Sequence, residues 1–390
     1  MEWSTYELGV LFLPTAAIFF ITAAVCLSVT RSVAAALTAS LIKAGLFLFY
    51  FSMWFDGTYN LLDDFTYARE SEALFAKGVG ILTLGEDLPL LLATANGPHF
   101  LYYLYNVYAI HLFGAGYFAP VALNTILSVF IAYFGAGLAE REFGFIGALK
   151  KLFFLYLVLF PDLLAWSGLI NDKDILVLFL HVVLLYGFSF WFQHRIVPAL
   201  VLVISASFLL LFLRFYVPLF FSVAFAASML VAGRGHRRLY WFVLSAVLIV
   251  LVLAGIGQAR LDQALTTLQS ELVNPAYGMI RFLLTPIPLN TTEATAYLDL
   301  PAAIHWLLIP FAVFGGYKIY QLKTPFSRFF LVYFMTFVGL YSMFGELQGP
   351  RHRVQLDFAL AVFQFAGVLA LVRDSRRAAA MPVEPGRQSA

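Results

Sequence analysis

Long apolar runs separated by short polar connections pattern this chain. They fall near residues 8–29, 33–54, 117–138, 148–165, 175–193, 197–213, 215–232, 239–256, 302–320, 327–345 and 355–372. Most approach the roughly 20 residues that a helix needs to cross a bilayer core. The pattern therefore predicts an all-α, polytopic transmembrane protein with about eleven spans. Arg214 is the only strong break between 197–213 and 215–232. The run from His99 to Phe113 is too short to span and reads as interfacial or re-entrant. Residues 1–377 read as one transmembrane domain with juxtamembrane helices on its outer face, and the Pro/Gly/polar stretch 378–390 as a disordered cytoplasmic tail.

Composition sharpens this reading. The chain has 390 residues, 62% hydrophobic and only 12% charged, against about 25% charged in soluble domains. Its mean hydropathy is +0.86. Cys26 is the one cysteine, so neither an intramolecular disulfide nor a cysteine-rich metal site is available. The first apolar run has no basic start and no clear cleavage site, so it reads as a membrane helix rather than a signal peptide.

Lysines and arginines set the sidedness. An orientation with the N-terminus outside places sixteen of the 24 basic residues inside, Lys43 and Arg387 among them. Lys43 fits worst, lying within the second run, and reads as a snorkelling residue near the inner leaflet. The acids fall the other way, with 18 of 22 outside. The outer face thus carries the polar chemistry. No GxxxxGK[ST] segment occurs, which argues against an ATP-driven pump.

Candidate chemistry sits in the outer connections. The loop 56–98 holds Asp56, Asp63, Asp64, Glu70, Glu72, Glu86 and Asp87; a second long one, 257–301, carries Arg260 and Arg281. Asp63-Asp64 reads either as a general base with a companion acid, or as a solvated loop or helix cap. Asp172-Lys173-Asp174 opens a helix, where an acid is favoured by the dipole, or else supplies a second acidic group with Lys173 facing a phosphate. Arg351-His352-Arg353 follows a Gly-Pro turn on the less basic side; arginine forks there suit phosphate oxygens or lipid head groups. Arg214 is a snorkelling residue or a further phosphate contact. His99, Tyr102, Tyr103 and His305 line a substrate groove or an interfacial belt. No HExxH or comparable pair supports a zinc site.

The order of these features resembles the GT-C superfamily of integral-membrane glycosyltransferases, which includes protein O-mannosyltransferases and lipid A aminoarabinose transferases. The resemblance rests on Asp63-Asp64-Phe65-Thr66-Tyr67-Ala68, then Gly97-Pro98-His99-Phe100-Leu101-Tyr102-Tyr103 and Leu112-Phe113-Gly114. It continues through Arg141-Glu142-Phe143-Gly144, Pro161 and Lys173-Asp174, covering 55–195 well and the turn at 351–353 more loosely. Gly97-Pro98 replaces the more usual Pro-Pro, and no sizeable soluble C-terminal domain is present.

The resemblance implies an enzyme that takes a sugar from a polyprenyl-phosphate donor and passes it, with inversion, to a lipid-linked or polysaccharide acceptor hydroxyl. Asp63 or Asp64 would be the base. Arg351, Arg353, Lys173 and Arg214 would hold the donor phosphate, and Asp174 or Asp172 would orient the acceptor. A divalent cation, Mg or Mn, is compatible with adjacent carboxylates but not required. The expected setting is a bacterial inner membrane with the site on the periplasmic face, and no nucleic-acid partner. Two rival classes are an O-antigen-type polymerase or ligase and a transporter or flippase of lipid-linked sugars. A transporter would place its ionisable residues at mid-membrane.

Overall fold

The computed structural model describes residues 5–59, 61, 63–80, 82–95, 99–232 and 272–379. In chain order the helices are α1 (Leu8–Thr30), α2 (Val33–Phe49), α3 (Asp63–Ala76), α4 (Leu84–Thr94), α5 (Phe100–Phe113), α6 (Phe118–Phe143), α7 (Ala148–Val158) and α8 (Pro161–Gly168). They continue with α9 (Asp174–Phe192), α10 (Ile196–Leu211), α11 (Tyr216–Ala232), α12 (Pro275–Leu284), α13 (Asp299–Gln321), α14 (Pro325–Met343), α15 (Pro350–Arg353) and α16 (Asp357–Ala379). Among the described residues there is no strand, only an isolated bridge between Leu272 and Phe344. Helices suit a lipid environment because each satisfies its own backbone groups.

Among the described residues seven helical segments are long and apolar enough to cross a membrane: Leu8–Thr30, Val33–Trp54, Phe118–Phe143, Asp174–Phe192, Glu293–Gln321, Pro325–Met343 and Pro350–Arg373. This is an integral membrane protein; the count of about eleven spans is not settled by these seven, since the run 239–256 lies outside the described residues. Pro161 divides the run 148–165 into α7, of 11 residues, and α8, of 8 residues. A proline lacks the N–H and clashes with the preceding turn, so it starts a helix more readily than it continues one. Helix α10 has 16 residues, which at 1.5 Å per residue falls short of a core about 30 Å thick. Helix α11 is described over 17 residues, up to Ala232. The run 239–256 and the tail 380–390 lie outside the described residues.

Two spans fix the long axis of the bundle. Helix α6 begins beside Tyr117, whose hydroxyl bonds Asp64, and α9 begins at Asp174. At their far ends Ser189 and Gln193 both donate to Glu142. The two helices therefore run side by side in the same direction, with their N-terminal ends together. Lys43 is corrected here. It does not snorkel: it is 2% exposed, and its Nζ donates to Ser128 Oγ of α6 at 2.7 Å.

The helices α13 and α16 cross at two glycines. A Cβ at Gly315 would collide with the Phe363 carbonyl, and one at Gly367 with the Phe311 carbonyl. Without a hydrophobic force between helices in lipid, such close backbone approach is how spans gain packing. Gly367→Ala should therefore destabilise the protein by about 1–3 kcal/mol, the usual cost of overpacking. The check is a lowered unfolding midpoint in detergent, with Gly316→Ala, which meets no atom within 4 Å, as the control.

Candidate active site

At the N-terminal ends of α6 and α9, four stretches of chain converge on one charged cluster. Its centre is the Arg351 guanidinium in α15. Nη1 donates to Asp63 Oδ2 at 2.9 Å and Nη2 to Asp172 Oδ1 at 3.0 Å. Nε lies 2.9 Å from Asp172 Oδ2 and 3.0 Å from Asp174 Oδ2. Arg214, in the link between α10 and α11, makes a two-pronged pair with Asp174, at 3.2 Å through Nε and 2.7 Å through Nη2. Gln355 Nε2 completes the shell of Asp174 at 2.6 Å, and Tyr341 in turn bonds Gln355. The planar guanidinium suits such forked pairing where an ammonium would not.

Lys173 is treated differently. Its Nζ donates to Tyr67 Oη at 2.8 Å and also lies over that ring. Among the described residues it forms no ion pair. Burial, reinforced by the charges of Arg214 and Arg351, pulls the Lys173 ammonium well below its ordinary pKa. Asp174 and Asp172, on either side of it in sequence, act the other way and favour the charged form. The N-termini of α6 and α9 point towards the same cluster and favour negative charge there.

The two adjacent aspartates separate. Asp64 is 1% exposed and works as an acceptor at the start of α3. Its Oδ1 takes the Leu61 and Phe65 amides, and its Oδ2 takes the Tyr117 hydroxyl at 2.6 Å. Tyr117 also accepts from the Asn171 amide, so one phenol joins α3, α6 and the entry to α9. Burial raises the Asp64 pKa against these hydrogen bonds. Asp63, by contrast, has a side chain 54% exposed. Burial opposes its ionisation, but the hydrogen bond from Arg351 and the charges of Arg351, Lys173 and Arg214 outweigh that and hold its pKa below the usual value. A carboxylate that is ionised, solvent-facing and oriented by a guanidinium is equipped to accept a proton.

Other expected site residues lie elsewhere. Arg353 does not join Arg351: it is 1% exposed, pairs with Asp162 at 3.2 Å and donates to the Thr285 and Leu283 carbonyls. His305 is buried against the Leu283 carbonyl. Tyr102 is fully buried and donates to Asn171 Oδ1 at 2.7 Å, so it supports the cluster from behind and lines no open groove. Tyr103 packs its ring on Tyr67. His99 holds the Leu213 carbonyl at 2.9 Å, beside Arg214. Residues 96–98 and the stretch 233–271, with Arg260, lie outside the described residues.

Tyr67, Tyr117, Asn171 and Gln355 matter to this geometry and were not singled out as site residues. Tyr67 was visible only as part of the Asp63–Ala68 stretch; Tyr117 and Gln355 carry no local signal. Among the described residues no group of three or more His, Cys, Asp or Glu side chains is placed to hold a metal ion.

Comparison with family models, with curated proteins and with solved structures gives no match.

Burial pushes the Asp172 carboxyl up to about 6, with Arg351 pulling it back and Asp174 adding to the rise. An acid whose folded pKa is raised contributes stability below its unfolded value and loses it as pH rises through the folded value. Unfolding midpoints should therefore fall, for this group, between the ordinary 3.8 and about 6 as pH rises. Asp172→Asn should remove that step; a variant with the wild-type pH profile would contradict the assignment.

Proposed function

We propose that the protein is a membrane glycosyltransferase of the GT-C type, which transfers a sugar from a polyprenyl-phosphate donor to an acceptor hydroxyl with inversion. The observation that carries this reading is the Arg351 bridge: one guanidinium orients the exposed Asp63 and stands in the same cluster as the buried Lys173 and Arg214. A base and an anion-favouring patch thus lie side by side at one end of an integral membrane bundle. A lipid-phosphate donor supplies the anion, and its chain can remain in the bilayer.

In this mechanism Asp63 takes the proton from the acceptor hydroxyl as its oxygen attacks the anomeric carbon. The bond from that carbon to the phosphate oxygen breaks, and the electron pair leaves with the polyprenyl phosphate. Attack opposite the leaving group inverts the centre. Arg351 and Lys173 stabilise charge growing on the departing phosphate, the electrostatic role that such preorganised donors perform. Arg214 fixes Asp174, which keeps Arg351 in place. Asp64 shapes the start of α3 instead of reacting. A lipid-linked or glycan acceptor is the best fit, on the periplasmic face of a bacterial inner membrane.

Asp63→Asn should lower transfer by about 10²–10⁴-fold, the usual contribution of a general base, while membrane insertion stays near wild type. Asp64→Asn should instead lower the unfolding midpoint and leave measurable transfer in the folded fraction. Assays of both variants with a polyprenyl-phosphate sugar decide between the aspartates; full activity of Asp63→Asn would remove the base. Arg351→Lys keeps the charge but loses the fork, and should weaken donor binding roughly ten- to hundredfold. An unchanged donor titration would exclude Arg351 from the phosphate. Labelling of Thr58→Cys in intact cells reports the side: modification by an impermeant reagent is expected, and protection would overturn the outer-face assignment.

A further inference from the structure

The connection 257–301 reads as an outer loop in the sequence, yet its described part does not stand clear of the bundle. Helix α12 lies against the last turn of α14. The Val273 amide donates to the Met343 carbonyl, Gly278 abuts Ser342, and the Phe282 ring stacks on Tyr341. These three partners cover about 3 Å of α14, while the chain from Val273 to Phe282 advances by roughly 13 Å or more. Helix α12 therefore runs across the membrane-crossing α14 instead of along it. A Cβ at Gly278 would collide with the Ser342 carbonyl, so glycine is what lets α12 press this close.

The depth of α12 follows from its other neighbour. The last carbonyls of a helix find no N–H in their own helix. Here His305 Nε2 and Trp306 Nε1, both from α13, donate to the Leu283 and Leu284 carbonyls at 2.8 Å each, and Arg353 donates to that of Thr285. From Trp306 to the end of α13 at Gln321 there is about 23 Å of helix, whereas a bilayer core is about 30 Å thick. With Gln321 at the far boundary of the core, the end of α12 lies about 7 Å inside the near one. Backbone polar groups at that depth must be satisfied by protein, and these three carbonyls are.

The residues turned away from the bundle suit the same depth. Gly278 and Phe282 are buried, while Tyr277 and Ile280 are 65% and 59% exposed, and Arg281 is exposed beside them. Spacings of three and four residues put Tyr277, Ile280 and Arg281 on one side of α12. Ile287, just past the helix, and Leu307, next to Trp306 on α13, are exposed as well. In water neighbouring apolar side chains of this size would be a liability. At a bilayer surface they form the apolar face of an interfacial helix, and the arginine stem reaches back towards the head groups.

We infer that α12 is an interfacial helix that lies in the plane of the membrane, with Tyr277 and Ile280 among the lipid chains just below the head groups. Its partner is the lipid leaflet at the end of the bundle that carries the charged cluster. Arg353 grips the Thr285 carbonyl one half-turn of helix from Arg351, so the seat of α12 in the leaflet sets the height of the cluster relative to the lipid phosphates. The inference stands independently of glycosyl transfer.

Nitroxide labels on the full-length chain test it, in vesicles of phosphatidylcholine and phosphatidylglycerol, with Tyr277→Cys and Ile280→Cys as the labelled positions. Both side chains are more than half exposed, so the packed face of α12 stays intact. Cys26 is fully buried, and the wild-type chain carried through the same labelling measures its background. Phe12→Cys, 73% exposed within the first span, is the lipid reference; Arg69→Cys on α3, whose side chain is 70% exposed, is the water reference. Collision with dissolved oxygen, relative to collision with a water-soluble nickel chelate, should be severalfold higher at both α12 positions than at Arg69, and should approach the ratio at Phe12. A ratio at either α12 position equal to that at Arg69 would overturn the inference.

Discussion

The pairing of Arg351 with Asp63, Asp172 and Asp174 is the contact on which the charged end of this protein depends. It joins residues up to 288 positions apart in sequence, so no local propensity can produce it. Charges are seldom buried, and a pair that loses one partner leaves the other uncompensated at about 3–5 kcal/mol. The interlocked pairs therefore act as a constraint on packing: α3, α9 and α15 can meet only where every carboxylate finds its guanidinium. Arg214 and Gln355 extend the constraint to the α10–α11 link and the start of the last span. Helix packing in lipid has little hydrophobic drive, which makes such polar registration the more decisive.

The cluster also shows why adjacent residues have different work. On a helix, successive residues turn by about 100°, so Arg351 and Arg353 face opposite ways. Arg351 looks to the outer acids and Arg353 to Asp162 and the Thr285 carbonyl. One turn of helix thereby ties two separate polar groups together. The same logic divides Asp63 from Asp64, where one faces solvent and the other serves as an internal hydrogen-bond acceptor for Tyr117.

Much of this was legible in the sequence, for identifiable reasons. Among the described residues apolar run length located the seven long helices, because the bilayer fixes how many residues a span needs. It departs from the structure at 148–165, where Pro161 divides the run into two short helices, and at 197–213, where the helix has 16 residues. Scarce charges on one side pointed to Asp63, Lys173, Asp174 and Arg351, since a charge beside lipid needs a cause. What the sequence could not yield was partnership. Arg353 looks like Arg351 in sequence, and Tyr102 looks like a groove residue, because direction on a helix depends on tertiary neighbours. Tyr117 and Gln355 were silent because uncharged hydrogen bonders carry no topological signal.

The charge balance of the outer cluster is itself informative. Asp63, Asp172 and Asp174 stand against Lys173, Arg214 and Arg351, so charges of opposite sign match in number, yet they are not matched in pairing. The carboxylates spend their contacts on the two guanidinium groups, and Lys173 is left with a phenol. A fold-holding cluster would more commonly pair Lys173 directly with a carboxylate, whereas here Asp174 and Asp172 act on it only through space and its hydrogen bond goes to Tyr67. Functional sites are where such local costs are tolerated, and under the proposed glycosyl transfer the departing phosphate would lie against both Lys173 and Arg351.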